Sequence, residues 1–149
     1  MTVVKKAMWT VVLAVVGGAA PVQAAAADPP RKSPVKVFIL AGQSNMEGQG
    51  VVDLDHPQYY NGGKGTLERV MRDPGKGKQF AHLKDAAGNW VVRDDVWVRF
   101  QTGHGLKKGP LTIGFTGYSG KHHIGPELQF GHVIGDALDE PVLLIKTAW

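Results

Sequence analysis

Residues 35–41 read Val-Lys-Val-Phe-Ile-Leu-Ala, and Gly42-Gln43-Ser44-Asn45-Met46 follows them directly. The first stretch is short, β-branched and nearly continuous in apolar character, which predicts a buried strand of a parallel sheet. Gly42 then permits a sharp turn. The turn presents Ser44 at the carboxyl end of the strand, and this is the edge where open α/β sheets bind their ligands.

The end of the sequence predicts a helix and a second strand. Pro126-Glu127 favours a helix start, since proline suits the first helical position and an acid suits the helix N-terminus. Apolar residues with the spacing of one helical face follow, namely Phe130, Val133, Ile134, Ala137 and Leu138. Pro141 ends the helix, and Val142–Trp149 predicts a buried strand. Strand, crossover, helix and strand in this order predict an α/β fold with a parallel sheet.

The stretch between these elements is irregular, because residues 42–125 hold 16 of the 20 glycines. Thr66–Arg72 predicts a helix of about two turns at most. Residues 90–93 and 96–100 flank Asp94-Asp95 and predict a small β-hairpin. Only two sheet strands are convincing, and the last would have one face without cover. The pattern therefore predicts an α/β domain that is incomplete at its C-terminus.

The first 24 residues have the parts of a secretory signal peptide. Lys5-Lys6 precede the apolar stretch Ala7–Ala20, and Val22-Gln23-Ala24 is a small-x-small cleavage pattern. An uncleaved N-terminal anchor is the alternative. Either reading predicts that the rest of the chain lies outside the cytoplasm. The signal peptide predicts a secreted or periplasmic protein, with a linker over residues 25–34 and the domain over residues 35–149.

Composition excludes several classes of site and partner. The sequence has no cysteine, which excludes disulfides, thiolate metal sites and a cysteine nucleophile. The net charge is +4, but setting aside Lys5 and Lys6 leaves 15 basic against 13 acidic residues, a balance of +2. Nucleic-acid binding is therefore not supported. No amphipathic membrane helix is predicted after the signal, and the oligomeric state stays open.

Ser44 is the candidate nucleophile. At the edge of a sheet its hydroxyl is free to attack an ester carbonyl, while its own backbone N–H stabilises the oxyanion that forms. The alternative, frequent for a serine after a strand, is that Ser44 only caps a helix. The neighbours Gln43 and Asn45 are candidate substrate-binding residues.

The stretch Val37–Gly48 resembles the opening block of the sialate O-acetylesterases and carbohydrate esterase family six, within the SGNH hydrolases. Gly125-Pro126-Glu127-Leu128 and Leu144–Trp149 resemble two further blocks in the same order. The resemblance implies a three-layer α/β/α sandwich with a five-stranded parallel sheet, in which Ser44 is the nucleophile and an oxyanion donor. It also implies an acetylated carbohydrate as substrate (sialic acid or a polysaccharide), an acyl-serine intermediate, and no metal or organic cofactor.

Three further parts of the family pattern lie beyond the position of Trp149, namely an oxyanion glycine, a polar oxyanion side chain and a late Asp-x-x-His pair. The resemblance therefore implies the N-terminal part of an acetylesterase domain. A serine without an oriented general base is a weak nucleophile. The alternative is a non-catalytic carbohydrate-binding or remnant protein on the same scaffold.

Other polar and aromatic groups are assigned structural roles. Asp53-Leu54-Asp55-His56 matches Asp-x-x-His, but the favoured interpretation of His56 is an exposed loop residue. His122, His123 and Glu127 are not expected to bind a metal, and Glu127 is expected to cap its helix or bond nearby backbone. Four aromatic residues are expected to pack, with stacking on sugar rings as the alternative: Trp90, Trp97, Phe100 and Tyr118.

Overall fold

A computed structural model describes residues 34–54, 56, 58, 62 and 64–149, so the predicted signal peptide and most of the linker lie outside the described residues. The elements are β1 (Lys36–Gly42), α1 (Ser44–Glu47), β2 (Gly50–Val51), α2 (Leu67–Met71), a 3₁₀ helix (Gly77–Leu83), β3 (Arg93–Thr102), β4 (Gly105–Leu111), β5 (His123–Ile124), α3 (Pro126–Ala137) and β6 (Val142–Ala148). No helix in this part of the chain is long and apolar enough to cross a membrane.

The main sheet has four strands in the order β1-β6-β3-β4. β1 and β3 both run parallel to β6, whereas β4 pairs antiparallel with β3. Leu144 of β6 lies between Phe38 and Val98, so the three parallel strands point to the same edge. β2 and β5 form a separate antiparallel pair. The predicted α/β class and the two terminal strands are confirmed, as is the helix predicted over residues 66–72.

The predicted hairpin around Asp94-Asp95 is wrong. β3 runs through both aspartates, and its hairpin partner is β4, beyond a turn at residues 103–104. The strand tolerates the two acids because both side chains are exposed, and because Arg93 donates hydrogen bonds to Asp95. The register is also irregular between Arg93 and Trp97. β3 is therefore a third parallel strand that the sequence pattern concealed.

α3 begins at Pro126 as predicted, but it buries a different face. Its buried residues are Glu127, Leu128, Gly131, His132 and Gly135. Val133, predicted on the apolar face, is exposed, while Phe130 and Ile134 are only partly buried. A Cβ on Gly135 would lie 2.6 Å from Val96 Cγ2, so the glycine lets α3 pack close to β3. The spacing of apolar side chains did not predict this face, because glycine makes part of the contact between α3 and β3.

Gly131→Ala is expected to destabilise the protein by about 1–3 kcal/mol, although alanine favours helix more than glycine does. The new methyl group would meet Leu111 and Leu144, both of which are fully buried. Gly103→Ala is the control, because a Cβ there meets open space. Its effect is expected to stay within about 0.5 kcal/mol. Urea denaturation measures both, and an unchanged or higher stability of Gly131→Ala would contradict the close packing.

β1 is an edge strand of the main sheet, and one of its faces is not covered by the described residues. Val37 and Ile39 are 53% and 71% exposed, so the prediction that β1 is buried is wrong for this face. Trp97 lies on the same face by register and is also exposed. On the opposite face, Phe38 contacts Phe130 of α3. The described residues cover this second face only, and the three-layer sandwich stays a prediction.

Candidate active site

Ser44 lies at the carboxyl edge of the main sheet. The parallel pairing of β1 with β6 continues to Gly42 and Ala148, and the Gly42 carbonyl accepts a hydrogen bond from Trp149 N at 3.3 Å. α1 then begins at Ser44 itself, and its single turn closes where Gly48 N donates to Ser44 O at 3.2 Å. The Ser44 side chain is exposed. The sequence thus predicted the placement of this residue.

Ser44 does not cap the helix that follows it. Gln43 occupies the cap position, and no side chain caps α1. Within the described residues, the Ser44 hydroxyl makes no hydrogen bond. α1 has only four residues and therefore a small dipole, so any oxyanion stabilisation must come from individual N–H groups. The Ser44 N–H is one of these groups, since the first turn of a helix leaves its N–H groups without intrahelical partners.

A shallow depression of about 450 Å³ adjoins this turn. It is lined by residues from the ends of four elements and their flanks: Asn45, Gln49, Gly50, Ile124, Gly125 and Pro126. Of the two predicted substrate-binding residues, Asn45 lines this space, while Gln43 is exposed and, like Ser44, is not part of the lining. The depression is open to solvent and large enough for an acetyl group with part of a sugar ring.

Asp53 is hydrogen-bonded to His122, whose Nδ1 lies 2.8 Å from Asp53 Oδ1. The backbone supports this pair, since Val52 N donates to His122 O at 2.9 Å. His56 is half-buried rather than exposed, and its Nδ1 accepts a hydrogen bond from Gln58 N at 3.1 Å. No histidine of the described residues is hydrogen-bonded to the Ser44 hydroxyl. The structure therefore gives Asp53 a partner that the Asp-x-x-His spacing did not indicate.

The structure separates His122, His123 and Glu127. The His123 ring stacks on Tyr118 with 4.3 Å between centroids, and burial lowers the pKa of His123. Glu127 instead contacts Lys146. In the part of the chain that is described, no three histidine or acidic side chains converge on a common point.

The aromatic candidates divide into two groups. Phe100 is buried in the sheet, and Trp90 packs against the core beneath the Lys84 ammonium. Trp97 and Tyr118 are exposed. Tyr118 stays available for contact with a ligand, because it is 41% exposed although its ring stacks on His123 of β5.

A buried ion pair lies at the same edge of the sheet. Lys146 Nζ is 2.6 Å from Glu127 Oε2, and the two side chains are 0% and 1% exposed. Lys146 also donates hydrogen bonds to Phe115 O at 2.7 Å and to Glu47 O at 3.4 Å. Burial raises the pKa of Glu127 and lowers the pKa of Lys146, while the charge of each partner opposes these shifts. The ammonium thus has an acceptor for each of its three protons.

The sequence contains a signal for this pair in the position of Lys146 on β6. Lys146 alternates with Val142 and Leu144 on the buried face of β6. A lysine at such a position needs an acceptor, because an unpaired buried charge is costly. Glu127 supplies it, and its second oxygen accepts a hydrogen bond from Gly125 N at 3.1 Å. The expected bond from Glu127 to nearby backbone is therefore confirmed, but it is the smaller part of its role.

Comparison with known proteins identifies a family. A family model described as "Carbohydrate esterase, sialic acid-specific acetylesterase" matches residues 34–149, which include Ser44, α3 and β6. Neither the curated proteins nor the solved structures give a match. The chain therefore belongs to the carbohydrate esterase family of the sialic acid-specific acetylesterases.

Proposed function

We propose that the protein is a serine esterase that removes O-acetyl groups from carbohydrates, with Ser44 as its nucleophile. The observation that carries the proposal is the exposed Ser44 hydroxyl at the carboxyl edge of the parallel strands. This hydroxyl does not cap α1, and Ser44 lies within the residues that match the esterase family. Ser44 Oγ attacks the acetyl carbonyl, and the sugar hydroxyl leaves. Water then hydrolyses the acyl-serine and releases acetate.

The depression at Asn45, the residue after Ser44, supports a sugar ester as the substrate. Two of its lining residues, Asn45 and Gln49, carry amide side chains, which can both donate hydrogen bonds to sugar hydroxyls and accept them. We assign Gln43 a contact with parts of the substrate outside this space. The family description favours O-acetylated sialic acid over acetylated polysaccharide.

The remaining catalytic and structural parts are proposed from the family resemblance. The Asp53–His122 pair makes no bond to Ser44, and we assign the general base to an Asp-x-x-His pair of the kind that family members carry beyond the position of Trp149. Three parallel strands with α3 on one face support completion to a three-layer α/β/α sandwich. The signal-like residues 1–24 support export to the periplasm or the medium.

Acetate release tests the proposal. The complete gene product is incubated with O-acetylated sialic acid, with acetylated xylan and with the deacetylated form of each, and free acetate is measured. Release from O-acetylated sialic acid is expected. Binding of an acetylated sugar without acetate release would instead favour the non-catalytic carbohydrate-binding alternative. That alternative is supported by the observation that no histidine of the described residues is hydrogen-bonded to Ser44.

A further inference from the structure

The carbonyl of Glu47, which ends the turn that begins at Ser44, is held by two donors. Gly117 N donates to Glu47 O at 3.1 Å, and Lys146 Nζ donates to the same oxygen at 3.4 Å. α1 has only four residues, and one turn of helix is not stable by its own hydrogen bonding. The position of Ser44 therefore depends on contacts from outside α1.

Lys146 connects this carbonyl to two other segments at the edge of the sheet. Its remaining protons go to Phe115 O, in the loop after β4, and to Glu127, in the first turn of α3. The second Glu127 oxygen accepts a hydrogen bond from Gly125 N, and Gly125 lines the depression together with Asn45 of the Ser44 turn. One buried ammonium thus sets the spacing between the nucleophile turn, one wall of the depression and the loop at Phe115.

The surroundings leave little freedom for this cluster to shift. A Cβ on Gly125 would contact Glu127 Oε2, and it would lie 2.8 Å from Lys146 Nζ and 3.1 Å from Gly48 Cα. Gly48 has a φ of 100°, which favours glycine, and it closes α1. Both glycines let the backbone of the Ser44 turn and the start of α3 meet directly over the ion pair.

We propose that Lys146 and Glu127 are positioning residues for Ser44. A buried ion pair is a poor source of stability compared with apolar residues of similar size, so stability alone does not account for it. Its geometry instead fixes the end of the turn that carries the nucleophile. Since a misplacement of about 1 Å costs about 100-fold in rate, a fixed turn has a direct catalytic value. This inference rests on the proposed role of Ser44.

Glu127→Gln in the complete gene product tests the inference. The side chain keeps its size but loses its charge, so Lys146 loses its strongest acceptor. We expect kcat for an aryl acetate to fall by about 10- to 100-fold, with KM changed less than about twofold, at a temperature well below melting. Hydrogen exchange is expected to accelerate at the amides of Gly48 and Gly117, but not at Val70 in α2. A role confined to stability would lower the melting temperature and leave kcat unchanged.

Glu68→Gln is the matched control, because Glu68 forms another Lys–Glu pair, with Lys84 Nζ 2.8 Å from Glu68 Oε1, and lies in α2 rather than in α1, α3 or β6. It is expected to leave kcat and both amides unchanged. Where Glu127→Gln does not fold, Glu127→Asp keeps the charge and moves it by one methylene, with the same direction expected. An unchanged kcat overturns the inference.

The inference and the proposed function fail in different ways. If the unsubstituted protein hydrolyses no acetyl ester, the proposed function fails. Exchange at Gly48 and Gly117 then decides whether the ion pair holds the turn, and unchanged exchange overturns the inference. If the unsubstituted protein is active and Glu127→Gln retains its kcat, the inference fails while the proposed function stands.

Discussion

Ser44→Ala is expected to lower kcat for aryl acetate hydrolysis by about 10⁴- to 10⁶-fold in the complete gene product. The substitution removes the oxygen that would form the acyl-enzyme, and no other residue of α1 carries a hydroxyl. The Ser44 side chain is exposed and makes no hydrogen bond within the described residues, so its loss is not expected to change the melting temperature. Initial rates and thermal unfolding measure the two quantities.

Ser119→Ala is the control for this variant, because Ser119 is also an exposed serine in a loop. Its kcat is expected to equal that of the unsubstituted protein. A fluorophosphonate, which reacts with activated serines, is expected to label Ser44 in the parent protein and to leave the Ser44→Ala variant unlabelled. Retention of activity by Ser44→Ala, or labelling of a different serine, would exclude Ser44 as the nucleophile.

The elements at the two ends of the domain could be predicted from the sequence because their patterns are strong. β1, α3 and β6 combine apolar runs with a glycine or proline at their ends, and these signals are local. The full length of β3 was not predicted, because the Asp94-Asp95 pair is typical of a turn. Its pairing with β6 is set by residues more than 40 positions away, which no local pattern contains.

The candidate site could be predicted in one part only. The position of Ser44 follows from a strand that ends in Gly42, so a short stretch of sequence was sufficient. The partner of Asp53 was not predictable from spacing, since His122 is brought to it by the pairing of β2 with β5. Lys146 and Glu127 lie 19 residues apart on different elements, and only the fold shows that they meet.

Breaking the buried Lys146–Glu127 ion pair is expected to cause the largest change in the free energy of unfolding. Lys146→Met is expected to destabilise the protein by about 3–5 kcal/mol, because it leaves the Glu127 carboxylate buried without a counter-charge. It also leaves the carbonyls of Phe115 and Glu47 without this donor. Lys84→Met is the control, because its pair with Glu68 is partly exposed, and a change of at most about 1 kcal/mol is expected. Urea denaturation near pH 8 measures both variants.

The pH dependence of the same variant separates a buried charge from lost packing. Burial already raises the pKa of Glu127 above its ordinary value near 4.5, and loss of the Lys146 charge is expected to raise it further. The unfolded chain then releases this proton at a lower pH than the folded protein does, so the stability of Lys146→Met falls as pH rises above about 4.5. The deficit relative to the parent protein is therefore expected to be smaller at pH 5 than at pH 8.

Adding Glu127→Leu is expected to remove this pH dependence and to recover part of the lost stability, with the unpaired carbonyls accounting for the rest. A deficit that does not change with pH, or a double variant no more stable than Lys146→Met, would show that packing rather than charge determines the effect.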